Sequence, residues 1–170
     1  MTTPSARDAP ARSGPLAIYL NDHLGGATAG LELARRIART HQGMPAGEPL
    51  ARVAVEIAED RDALLRIMRA LGVPVQRYKV VVGWVTEKAG RLKPNGRLLR
   101  RSPLSSVVEL ESLRIGIEGK AVGWRALRTV TAREPRLDAA LLDRLITRAG
   151  EQADTVEDLR LRAAAEAFTP

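Results

Sequence analysis

A few residues of this chain carry reactive groups at positions where a helix would otherwise present apolar side chains to a core. They are His23, Glu56, Asp60, Glu111, Glu118, Arg148 and Gln152. His23 lies beside a stripe of Leu16, Leu20, Leu24, Ala27, Leu31 and Ala34. Val53, Ile57 and Leu64 bracket Asp60, with Glu56 one turn earlier. Leu104, Val108, Ile115 and Val122 bracket Glu111 and Glu118, and Leu141, Leu145, Val156 and Leu159 bracket Arg148 and Gln152. Carboxylates and an imidazole turned inward have two chemistries open to them. One is an interior ion network, with Arg148 paired to Glu111 or Glu56 and His23 hydrogen-bonded to Asp60, because buried ions persist only with partners. The other is a divalent metal, iron or manganese, held by His23, Glu56, Asp60, Glu111 and Glu118. Arg148 opposes the metal reading, since its fixed positive charge competes for the same carboxylates. A third reading leaves some of these groups at the stripe's edge, reaching solvent.

A second chemistry-bearing stretch is "KAGRLKPNGRLLRR", residues 88–101. It holds Lys88, Arg91, Lys93, Arg97, Arg100 and Arg101 and no acid. The formal charge of the chain is +7, and nearly all of that excess sits in this segment; the rest is close to neutral. Six cations at this density suit an anion, a nucleic-acid backbone or an acidic face of a second copy. No recognition motif accompanies them, so nucleic acid stays an alternative and pairing with acids of the last helix is the plainer reading. Ser102, Ser105 and Ser106 fall near helix starts, where hydroxyls cap backbone donors. There is no phosphate loop, dinucleotide fingerprint or zinc spacing. The absence of cysteine removes thiol nucleophiles and thiolate ligands. A catalytic site is therefore not expected.

The elements that must position these residues are helices. The chain has 170 residues, 45 % hydrophobic but only 3 % aromatic, so its core is built from Leu, Ile, Val and Ala. Helical spacing predicts helices over about 15–41, 49–71, 75–91, 103–129 and 136–167. Gly43 and Gly72 follow two of them, and Pro94-Asn95-Gly96 marks a turn. Short links make antiparallel neighbours. The pattern is thus two helical hairpins joined by a long crossover that contains its own helix. Residues 1–14, rich in Pro, Ser, Thr and charge, read as a disordered tail, and 15–168 as a single domain. Gly25, Gly26, Ala27, Ala29 and Gly30 read as small residues that let a neighbouring helix close in. No apolar run reaches the ~18 residues of a membrane span, and a cytoplasmic setting is expected.

The two-hairpin layout and "EIAED" at 56–60 resemble the ferritin-like superfamily. On "IYLNDHL", "EIAED", "EKAGRLKPNG" and "SPLSSVVELESL", residues 15–168 also resemble a family of uncharacterised actinobacterial helical-bundle proteins with ferritin-like layout. The resemblance implies an all-α, ferritin-like four-helix bundle with an additional helix in the crossover between helices two and three. It implies no activity. The Glu-x-x-His motifs of a ferritin-like di-metal centre are missing: Leu20 and Ala38 stand three residues before His23 and His41. The expected function is accordingly non-catalytic, through protein contacts or self-association. A metal-binding or oxidative-stress role is the alternative, and a nucleic-acid-associated role using 88–101 the third.

Overall fold

The computed structural model describes residues 14–76 and 103–169. Within them the chain is all-helical, with four helices and no strand: α1 (Pro15–Thr40), α2 (Gly47–Ala70), α3 (Pro103–Val130) and α4 (Ala139–Phe168). Pro15 and Pro103 stand at helix starts, where a missing N–H costs nothing. Asp138 caps α4 by accepting from the Leu141 N–H. Gly72, at φ +69, turns the chain out of α2, and the Val73 N–H closes on the Met68 carbonyl at 2.9 Å.

Two apolar layers fix how the helices run. In one, Leu20 and Leu24 from the start of α1 meet Leu64 and Met68 from the end of α2. The same layer takes Trp124 and Leu127 from the end of α3 and Leu142 and Leu145 from the start of α4. In the other, Ile37 from the end of α1 meets Leu50 and Val53, Leu110 and Leu113, and Val156. Hence α1 and α4 run one way and α2 and α3 the other. α1 packs on α2 and α3, and α4 on α3 and α2, so the parallel partners lie on the diagonals. α2 and α3 point the same way, so the link between them leaves α2 at one layer and enters α3 at the other.

That link starts under control of Asn21, which is buried on α1. Its side-chain amide donates to the carbonyls of Ala17 (2.8 Å) and Pro74 (3.1 Å), and its oxygen accepts from the Gln76 N–H at 2.8 Å. Residues 73–76 are not helical, and the rest of the helix expected over 75–91 lies outside the described residues. So do residues 1–13 of the expected tail, the Pro94-Asn95-Gly96 turn and the basic segment 88–101. The α3–α4 loop is braced by Arg136, which holds Glu134 at 2.6 and 2.7 Å and donates to the Leu71 carbonyl at 3.3 Å. That hydrogen-bonded guanidinium lowers the Glu134 carboxyl to about 2.

Two expectations are overturned here. A Cβ at Gly26 or Gly30 would meet nothing within 4 Å, so these glycines do not admit a neighbouring helix. And α3 turns the other way from the one its heptad-spaced residues suggest. Val107, Leu110, Leu113, Ile117, Ala121, Trp124 and Leu127 are buried. Leu104 (51 %), Val108 (38 %), Ile115 (45 %) and Val122 (52 %) are exposed. α3 carries two apolar stripes, and the core takes the denser one, which holds Trp124.

Candidate functional site

The waist between the two layers holds the interior polar cluster. Asp60 on α2 is 1 % exposed. One of its carboxylate oxygens accepts from Arg148 Nη2 on α4. The other accepts from Lys120 Nζ on α3 and from Gln152 Nε2 on α4, the last at 3.3 Å. Lys120 also donates to the Gln152 side-chain oxygen. Gln152 donates to Glu56 at 3.0 Å, and Arg148 Nη1 donates to Glu59 at 2.7 Å. Three helices are thereby joined through one carboxylate. α1 reaches the same level through Thr28, whose hydroxyl accepts from Arg61 Nε at 3.2 Å.

The electrostatics follow from that geometry. Burial pushes the Lys120 ammonium below the ordinary lysine value, Asp60 opposes the shift by charge and hydrogen bond, and Arg148 adds to it by repulsion. Burial also works against the Arg148 charge, but Asp60 and Glu59 outweigh it and hold the guanidinium above its ordinary value. Both Asp60 oxygens are already taken by cations and an amide. The cluster ties α2, α3 and α4 together at the waist of the bundle.

Of the residues singled out from sequence, the structure brings together Glu56, Asp60, Arg148 and Gln152. It does not bring His23, Glu111 or Glu118 to them. Glu111 is exposed, and Glu118 lies 3.7 Å from Arg114 on its own helix. Arg148 pairs with Asp60 and Glu59 rather than with Glu111 or Glu56. His23 is half-buried between α1 and α3, edge-on to Tyr19 with ring centroids 4.4 Å apart. It lies over Gly123: a Cβ there would come within 2.8 Å of His23 Cε1. The close approach sought along α1 thus occurs on α3. Desolvation lowers the His23 pKa, and neighbouring Asp22 pulls it back up.

Two cluster members are absent from the sequence reading, Lys120 and Glu59. A signal for Lys120 existed: it stands three residues after Ile117 and next to Ala121, on the side of α3 that is buried. The donor set does not fit the metal reading. Among the described residues, no group of three or more His, Asp or Glu side chains is placed to hold a metal ion. The anion-binding candidates Lys88, Arg91, Lys93, Arg97, Arg100 and Arg101 lie outside the described residues.

The second feature is the outer face of α3. Along the other three helices the outward positions are mostly charged, Asp22, Glu32, Arg35 and Arg39 on α1, Arg52, Glu59, Asp62 and Arg66 on α2, Asp143, Arg144, Glu151 and Asp158 on α4, and exposed large apolar residues such as Ile18, Val55 and Leu161 stand singly. On α3 they are Leu104, Val108, Ile115, Val122 and Ala126, with Glu111, Gly119 and Arg125 among them. Four large apolar side chains about half exposed present on the order of 300 Å² of apolar surface, a size at which a patch on a monomer is often functional. At one end of the bundle Pro15, Leu16, Tyr19, Ala126, Leu127 and Val130 also line an open apolar groove of about 370 Å³. No helix among the described residues is long and apolar enough to cross a membrane. In comparisons with protein-family models, curated proteins and solved structures, nothing matches this chain.

Proposed function

We propose that this protein is a non-catalytic helical bundle of ferritin-like layout that acts through protein contacts, self-association among them, made by the outer face of α3. The ferritin-like reading is supported by two antiparallel hairpins joined by one long return between diagonal helices. The contact reading is carried by one observation: α3 is apolar on both sides, and the side facing away from the core keeps heptad spacing at Leu104, Val108, Ile115 and Val122. A helix that is apolar all round is ordinarily buried all round, and the heptad is the spacing at which one helix seats another.

Sedimentation velocity tests this reading. The molecular mass should rise with concentration up to about 200 µM, and Ile115→Asp should abolish the rise without lowering the melting temperature. Association unchanged in Ile115→Asp would overturn it. So would one or two equivalents of iron or manganese bound to purified protein, raising its melting temperature and lost in Asp60→Asn.

A further inference from the structure

We infer that the partner on the outer face of α3 is a second copy of this chain, paired antiparallel about a two-fold axis beside Gly119; the inference rests on the reading above and adds occupant, direction and register. α3 occupies a corner of the four-helix ring, packed mainly on α1 and α4. Its outward edge is therefore the part of the bundle that another α3 reaches first.

The register comes from charge. On the α4-side flank of the apolar stripe stand Glu111, Glu118 and Arg125, spaced by seven. Glu111 is exposed. Arg125 is exposed and makes no ion pair with a described residue. A parallel pair would set this flank against the opposite flank of the partner subunit, where Ser112 and Gly119 stand and no charge answers Glu111 or Arg125. An antiparallel pair centred on Ile115 would bring Glu111 towards Glu118 of the partner subunit. An antiparallel pair centred between Glu118 and Gly119 instead sets Glu111 against Arg125 of the partner subunit, twice by symmetry. It sets Ile115 against Val122 of the partner subunit, also twice, so the apolar centre of the contact is these two pairs, with Leu104 and Val108 lying outside it.

The axis itself falls where the helix is slimmest. Gly119 is exposed, and a Cβ there would meet nothing within 4 Å, so the two backbones can approach. The one like-charge approach is Glu118 to its own mate. Each Glu118 has Arg114 at 3.7 Å, which offsets that repulsion. An isologous contact requires one surface to complement itself under rotation, and of the three pairings only this one brings opposite charges together.

The chain has no cysteine, so introduced thiols report geometry without background. Under mild oxidation Gly119→Cys should cross-link to itself. Ile115→Cys mixed with Val122→Cys should give the mixed dimer, and Val108→Cys should not cross-link to itself. In sedimentation, Glu111→Arg and Arg125→Glu should each weaken the dimer on the order of tenfold, and the double exchange should recover most of that loss. Cross-linking of Ile115→Cys to itself, or no recovery in the double exchange, overturns the register while leaving α3 as the contact. Absence of cross-linking at every α3 position, with Ile115→Asp inert in sedimentation, overturns the contact reading as well.

Discussion

Asp60 shows how much one buried carboxylate can organise. It accepts from Lys120, Arg148 and Gln152, and so joins α2 to α3 and α4. Removing its charge strands two cations at once, the kind of change that costs most in a buried pair. Asp60→Asn should destabilise by about 2–4 kcal/mol in urea unfolding. Arg148→Met should cost less, about 1–3 kcal/mol, because Lys120 stays on Asp60 and the Arg148 side chain is 28 % exposed. An Arg148→Met loss larger than that of Asp60→Asn would mean that Glu59, not Asp60, is the main partner. His23 gives a prediction of opposite character. Its folded pKa lies below the ordinary 6.5, so the unfolded chain takes up the proton first. Its contribution is complete above pH 6.5 and is lost as pH falls through 6.5 towards the folded value. Between pH 7.5 and 5.5 the urea midpoint should fall more in the wild type than in His23→Gln; equal falls would place the pH dependence elsewhere.

At the scale of the helices, the sequence was most legible where local chemistry and tertiary packing agree. Gly43 and Gly72 mark ends that the structure places within a few residues, and the stripes on α1, α2 and α4 are the ones turned to the core. α3 was misread for a physical reason. Its heptad stripe and its buried stripe are both apolar, and periodicity alone cannot say which of two such faces meets the core. That ambiguity turns Glu111 and Glu118 inward in the sequence reading and hides Lys120, so of the cluster's six residues the sequence points to Glu56, Asp60, Arg148 and Gln152 but not to Lys120 or Glu59. The glycines of α1 were misread differently. Small residues there are expected to let a neighbouring helix close in, but Gly26 and Gly30 face open space. Gly26→Ala and Gly30→Ala should then each stabilise by roughly 0.5–1 kcal/mol, read as a raised denaturation midpoint. Gly123→Ala should do the reverse, because the new methyl group meets the His23 ring. A destabilising Gly26→Ala would show that this face of α1 is covered after all.

For the molecule as a whole, the ion cluster sits where two separate apolar layers meet, and that position says what it is for. Leucine-rich layers at either end would pack nearly as well with one helix slid by a turn, since Leu, Ile, Val and Ala recur along every helix. Asp60, Lys120, Arg148 and Gln152 satisfy one another in one register only; a slide of α2, α3 or α4 leaves a buried charge without its partner. Buried ionic groups add little net stability compared with apolar residues of similar volume, but they penalise the alternatives. The combined replacement Asp60→Leu, Lys120→Met, Arg148→Met and Gln152→Leu should therefore match or exceed the wild type in melting temperature while losing uniqueness of packing. The measurements are thermal unfolding together with side-chain dispersion in nuclear magnetic resonance spectra and binding of an apolar dye. Raised stability with broadened resonances and dye uptake is the expected result. A quadruple variant as well dispersed as the wild type would show that the apolar layers set the register by themselves, and a strongly destabilised one that the cluster contributes stability beyond its partners' mutual satisfaction.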